Sequence, residues 1–247
     1  MSTDAATFLC VGYARELTDL SAKDPRRRLF YLILKRLLDL IVATLLMCLA
    51  IPVVPLIAIL IKLESNGPAF FVQERVGARY RWRGGRIVWQ VCLFRCYKLR
   101  TMWNNADPSI HKEYLRRFRN GNLTASAEDS PFKLNRDSRI TRLGQFLRKT
   151  SLDELPQLWN VIRGDMSLVG PRPVPTYEVT LYDEAHYARL ASRPGITGIW
   201  QVYGRSRVTF EKMVEMDITY VQQSSIFFDL KLLLLTIVSV ASLKGAA

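Results

Sequence analysis

Leu40 to Ile61 reads LIVATLLMCLAIPVVPLIAILI, 22 residues without a charge. As a helix it would measure about 33 Å, enough to cross a hydrocarbon core of about 30 Å. It begins too late for a cleavable signal peptide, and no small-residue cleavage site follows it. Pro52 and Pro55 fall in its middle. Each lacks a backbone donor and clashes with the preceding turn, so the helix is expected to break or kink there. Both flanks are basic: Arg26, Arg27, Arg28, Lys35 and Arg36 before it, and Lys62, Arg75, Arg79, Arg81, Arg83 and Arg86 after it. Positive flanks favour the cytoplasmic side at both ends. A helix–break–helix that enters one leaflet and returns satisfies both observations, with a kinked spanning helix as the alternative. Asp39, at the start of the run, is expected at the interface, paired with Lys35 or Arg36, because an unpaired charge in lipid is costly.

Around this segment lies a chain of 247 residues, 49% hydrophobic, with a formal net charge of +13. The apolar content excludes a disordered chain, and 13 glycines with no sustained heptad exclude collagen and coiled coil. The charge calls for a polyanion: nucleic acid, an anionic membrane surface or a phosphate-rich substrate. Cys10, Cys48, Cys92 and Cys96 show no paired metal spacing and no disulfide framework, which points to a reducing compartment.

Lys62 to Arg119 carries 13 basic and 4 acidic residues, so most of the net charge follows the apolar run directly. There each cation gains about 1 kcal/mol near anionic headgroups. Ala78 to Gln90, ARYRWRGGRIVWQ, alternates arginines with Tyr80 and Trp82 and turns at Gly84-Gly85. It reads as a solvated hairpin, an interfacial hairpin with Trp at headgroup level, or a nucleic-acid surface. An apolar strand from Ile87 ends at Leu99, where Lys98 and Arg100, two apart, are expected on one face, as phosphate-binding cations or as ordinary surface cations. Asn104 to Pro131 reads as a loop or lid insert with one helix, Ser109 to Phe118. Neither His111 nor His186 is taken as a catalytic base; both are expected to be surface residues.

From Lys133 the texture changes. Ser151 to Gly164, SLDELPQLWNVIRG, has Leu155, Leu158, Trp159 and Ile162 at helical spacing. Ser151 and Glu154 form a capping-box pattern, and Pro156 is tolerable only in a first turn, so the helix is expected to start at Ser151 to Asp153. Asp153 and Glu154 would then sit at a helix N-terminus, whose field favours anions. A carboxylate, nearby arginines and free N–H groups could hold a phosphoryl group beside a nucleophile, although an acidic pair is also simply good capping. Two Gly/Pro-shaped turns follow. Asp165 to Pro173 presents Arg172, and Arg193 to Val202 presents Arg193.

Several blocks in order resemble the bacterial sugar transferases, the monotopic phosphoglycosyl transferases. They are the entry KRLLDL into the proline-containing helix, GPAFF with ERVG, YKLRTM, RITRLGQFLRKTSLDELPQLWNVIRGDMSLVGPRP and RPGITGIWQV. The resemblance covers Lys35 to Leu243. It implies transfer of a sugar-1-phosphate from a UDP-sugar to a polyprenol phosphate, with UMP released through a phosphosugar-aspartate. It further implies Asp153 as nucleophile and Glu154 as its acidic partner at Mg²⁺. Lys98, Arg148 and Arg172 would surround the phosphates, and Pro52 would break a re-entrant helix. Ile51 stands where the family usually has Ser, so Pro55 is a candidate to share the break. The short N-terminal segment resembles the family's short form.

The expected fold is therefore α+β and mostly helical: a small catalytic domain with one Pro-broken re-entrant membrane helix and amphipathic interfacial helices. The expected divisions are a basic leader (1–34), the membrane helix (35–64), a cytoplasmic catalytic domain (65–225, with the insert 104–131) and a C-terminal apolar helix (226–247). That last helix is too short to span, and is expected at the interface or in the core, with a homodimer contact as the alternative. Expected partners are a UDP-sugar, polyprenol phosphate and anionic lipids, without nucleic acid, at the cytoplasmic face of the bacterial inner membrane. The alternative is a non-catalytic membrane-attached protein that binds nucleic acid or anionic lipid.

Overall fold

The computed structural model describes residues 15–21, 24–107, 109–119, 137–204 and 208–241. Its first large element is one helix, α1 (Pro25–Glu64), N-capped by the Asp24 carboxylate, which accepts from the Arg26 N–H. The helix starts ten residues before the expected boundary and is not interrupted at either proline. This corrects the expected break. The prolines remove the N–H groups of two positions three apart, and the ladder on both sides carries the helix through. Both prolines face outward, where no packed neighbour opposes their rings.

Arg28, Tyr31, Leu32, Lys35, Asp39, Ala43, Ala50, Ile57 and Ile61 are the buried residues of α1. They recur every three, four or seven positions and so form one stripe. The opposite face leaves Leu45, Leu49, Ile51, Leu56, Ile59 and Leu63 exposed. Asp39 does not sit at an interface; it is near enough to Lys35 for its charge to be felt there, but Lys35 bonds Asp229 instead. Asp39 is buried and accepts from the Ser167 hydroxyl and the Leu168 N–H, at 3.0 Å each. Burial excludes water there, so the carboxylate takes backbone and hydroxyl donors.

β2 (Phe70–Arg83) and β3 (Arg86–Leu99) form a long antiparallel hairpin around Gly84 and Gly85, whose φ angles are 57° and 76°. Two positive φ angles are what a tight hairpin turn of matching twist needs. The expected hairpin is thus part of a longer one. Tyr80 lies opposite Trp89 and meets it edge-on, and Trp89 is buried while Trp82 stays half exposed. Arg79 and Arg83 are tied to Asp165 and Glu16. β1 (Glu16–Thr18) joins the free edge of β3, and β5 (Val174–Pro175) joins β2. A separate parallel pair links β4 (Ser167–Val169) to β6 (Gly195–Thr197).

The helical part packs on these strands. α2 (Ser109–Arg119) is the helix expected within the insert, and residues 120–131 of that insert lie outside the described residues. His186 is not a surface residue: its Nδ1 accepts from the Asp183 N–H and its Nε2 faces Glu211 at 3.0 Å. α3 (Arg142–Thr150) and α4 (Gln157–Arg163) lie along α1, the one-turn α5 (Thr176–Val179) follows β5, and α6 (Phe210–Gln223) leads to α7 (Ile226–Ala241). α7 buries Asp229 and Leu232 and exposes Phe227, Leu234, Ile237 and Val238. One face is packed and the other apolar and open, as an interfacial helix requires.

Both ends of α1 rest on this same body. Arg36 donates to the Val161 and Ile162 carbonyls at the end of α4, while Glu64 accepts from the Leu143 N–H at the start of α3. Ile57 and Ile61 pack with Leu99 and Leu147.

Candidate active site

Three elements converge at the end of β3. Thr141 caps α3 by accepting from the Gly144 N–H, and α3 closes at Ser151, whose φ of 58° is left-handed. The Ser151 N–H is turned back onto the Arg148 and Leu147 carbonyls. A three-residue 3-10 turn, Leu152–Glu154, follows, and α4 begins only at Gln157. This corrects the single helix expected from Ser151. An N-cap needs extended backbone, and a residue closing one helix in left-handed geometry cannot also open the next. Asp153 and Glu154 therefore lie in the turn before α4 rather than in its first turn, with Lys98 bonded to Glu154 and Arg148 close enough to feel Asp153. The expected stop at Gly164 is present, with φ of 85°.

Lys98 reaches from β3 and donates to Glu154 Oε1 at 2.7 Å. Asp153 is buried, and its charge is felt by Arg148, whose Nε donates to the Thr101 hydroxyl at 2.9 Å. Burial pushes the Arg148 pKa down, and Asp153 opposes that shift. Arg172 follows β4, and its guanidinium lies 5.8 Å from the Trp200 ring centre. The turn that presents it is fixed by two glycines. A Cβ on Gly195 would meet Gly170 N at 2.1 Å, and one on Gly170 would meet Arg193 O at 2.4 Å, so the strands can cross this closely only without side chains there.

Between these elements opens a small cleft, lined among others by Arg75, Lys98, Glu154, Gln157, Arg172 and Ile196. Of the sequence-predicted residues, the structure brings Lys98, Glu154 and Arg172 to the cleft, with Asp153 and Arg148 against them. Arg100 lies elsewhere. Its guanidinium donates to the Ser65 and Asn66 carbonyls and to Ser65 Oγ, closing the end of α1. β3 ends at Leu99, so the two-residue alternation that placed Arg100 beside Lys98 has stopped. Arg193 stacks on Tyr80, and burial lowers its pKa, with Arg36 acting in the same direction. Pro52 and Pro55 are on the outer face of α1.

Sequence reasoning missed Arg75 and Gln157. Arg75 had counted only as a flanking charge of the apolar run, although it sits in the block Glu74-Arg75-Val76-Gly77. Cys96 also reaches the cleft, but burial pushes its thiol pKa up, so it does not supply a thiolate. No group of three or more His, Cys, Asp or Glu side chains gathers to ligate a metal among the described residues. Two adjacent carboxylates at a cleft do match the way Mg²⁺ is held, by one or two carboxylates with substrate phosphates and water completing the shell.

Residues 30–243 match the family model described as bacterial sugar transferase. The chain belongs to that family. It is 43% identical over 221 residues to the galactosyl transferase CpsE of Streptococcus agalactiae, covering 87% of this chain and 44% of that protein. It is 41% identical over 213 residues to the exopolysaccharide production protein ExoY of Rhizobium meliloti, covering 86% and 87%. A Caulobacter vibrioides family member, UDP-glucose:undecaprenyl-phosphate glucose-1-phosphate transferase, is 38% identical over 244 residues, covering 96% and 80%. The chain spans less than half the length of the streptococcal relative.

Proposed function

We propose that this bacterial sugar transferase moves a hexose-1-phosphate from a UDP-sugar to a polyprenol phosphate at the membrane surface. The observation that carries the reading is the meeting of Glu154, Lys98 and Arg172 at one cleft, with Asp153 and Arg148 adjoining them, on a body attached to an apolar helix. The name of the Caulobacter relative supports the substrate class.

The Asp153 carboxylate attacks the β-phosphorus of the donor. The bond from that phosphorus to the bridging oxygen breaks, and UMP leaves with the oxygen. A sugar-phosphoryl aspartate remains. An oxygen of the polyprenol phosphate then attacks the same phosphorus, the bond to the aspartate oxygen breaks, and the carboxylate is restored. No proton need be exchanged. Arg172 and Arg148 place positive charge where the phosphoryl oxygens gather charge, and Lys98 holds Glu154 in position. Mg²⁺ fits at Glu154, with Asp153 beside it, where it would neutralise phosphate charge.

The position of α1 supports the monotopic arrangement. A spanning helix would put its ends on opposite sides of the bilayer, whereas Arg36 and Glu64 bind one body. This favours an unbroken helix that bends within one leaflet instead of crossing the bilayer, with the cleft at the cytoplasmic headgroup plane where the lipid phosphate lies.

The test is a reaction with labelled UDP-sugar and no acceptor. One UMP per enzyme and label retained on the protein are expected, and both are lost in Asp153→Asn. UMP release that requires the acceptor, without trapped label, overturns the two-step scheme.

A further inference from the structure

Arg75 stands on β2 opposite Phe94, with Pro175 of β5 on its other side. Its side chain enters the cleft beside Lys98, Glu154 and Arg172. Nη1 donates to the Pro173 carbonyl at 3.1 Å and Nη2 to Gln73 Oε1 at 2.7 Å. Both acceptors are neutral. Nε is buried and has no hydrogen-bond partner. Burial pushes the Arg75 pKa down, and the neighbouring Arg172 pushes it the same way. Glu178, the carboxylate that opposes this, is itself bonded to Arg189.

A half-buried guanidinium whose Nε is shut from water, beside a second guanidinium and with only neutral acceptors, is costly. An anion entering the cleft removes that cost. Lys98 is bonded to Glu154, whereas both bonds of Arg75 go to neutral oxygens, so the Arg75 charge is open to an incoming anion. The planar fork of arginine matches the oxygens of a phosphate group.

We propose that Arg75 is an anion-binding residue of the cleft, gripping, together with Arg172, the diphosphate of the nucleotide-sugar donor. This rests on the transferase reading for the identity of the donor, but the anion site itself does not depend on turnover. Holding the Pro173 carbonyl is then its second task, because that bond also sets the turn bearing Arg172.

The full chain in detergent micelles, titrated with UDP and with inorganic pyrophosphate and no lipid acceptor, tests the proposal. Arg75→Gln keeps a donor for Pro173 and loses the charge. It is expected to weaken both ligands at least tenfold while the ligand-free melting temperature stays within two degrees of wild type. Arg75→Lys restores the charge without the fork and is expected to recover most of the affinity for pyrophosphate. It is also the variant read should Arg75→Gln fail to fold, and loss of its pyrophosphate affinity despite a wild-type melt overturns the proposal. Arg83→Gln, at the hairpin end, leaves both affinities unchanged. Unchanged UDP binding in folded Arg75→Gln overturns the proposal, and a raised KM for polyprenol phosphate alongside it would assign Arg75 to the acceptor instead. Failure of the transferase reading would show differently, as a wild-type protein that binds pyrophosphate but releases no UMP from UDP-sugar.

Discussion

Lys98 and Arg100 stand two residues apart, yet only Lys98 reaches the cleft. Arg100 spends its donors on three oxygens at the end of α1. Hydrogen bonds to a charged group are worth about 1.5–3 kcal/mol each, and their net sum is smaller because water competes in the unfolded chain. Arg100→Ala is therefore expected to destabilise the fold by about 2–4 kcal/mol. Chemical denaturation of the detergent-solubilised protein measures this. The folded fraction should keep its affinity for UDP within about twofold, since no Arg100 donor faces the cleft; a tenfold loss of UDP affinity at unchanged stability would put Arg100 back among the phosphate ligands. The residue types at the site were legible: carboxylates beside cations in SLDELPQLWNVIRG and a rigid turn before Arg172. What single-chain spacing could not give was direction. Arg75 and Arg193 carry the same charge, and only the register of β2 against β3 and β5 puts one in the cleft while Arg193 stacks on Tyr80.

At the scale of elements, the hairpin was readable because Gly84-Gly85 allows the two positive φ angles its turn demands. The helix after Ser151 was misread because the same serine suits two roles, and the chain used it to end α3. The joint between α1 and α7 was not readable at all, since its partners lie nearly 200 residues apart. There Asp229 accepts from Lys35 Nζ at 3.0 Å, Tyr31 OH at 2.9 Å and Tyr220 OH at 2.6 Å, with no exposure to solvent. Removing one partner of a buried ion pair leaves the other charged and dry, which costs about 3–5 kcal/mol, whereas replacing both with apolar groups is often close to neutral. Asp229→Ala is expected to lower stability by that amount, and Lys35→Met combined with Asp229→Ala to recover more than half of it. Thermal melts of the two single variants and the double variant measure the coupling. Simple additivity would show that the pair does not bind α7 to α1.

For the whole molecule, composition set the terms early: a chain half apolar with a charge of +13 was expected to meet a polyanion, with nucleic acid, lipid headgroups and a phosphate-rich substrate all open. The structure gives the apolar part a definite shape. The outer faces of α1 and α7 are both open and both apolar, while the tethers of α1 at Arg28, Arg36, Asp39 and Glu64 all go to one body. A 40-residue helix would measure about 60 Å if straight, about twice the hydrocarbon thickness, so its two ends cannot both touch a domain on one side if the segment between them crosses the bilayer. The outcome is measurable in membranes. On a background without native cysteines, Arg27→Cys and Lys62→Cys place one thiol at each end of α1, both at exposed positions. A membrane-impermeant maleimide is expected to label both in inside-out vesicles and neither in intact spheroplasts. Labelling of one thiol from each side would show a spanning helix, and would require the contacts of Glu64 or Arg36 with the body to be broken in the membrane. The cleft would outlast such a result, because Asn160 of α4 bonds the β3 backbone at Arg95 and Tyr97 without help from α1, so this labelling tests the topology separately from the site.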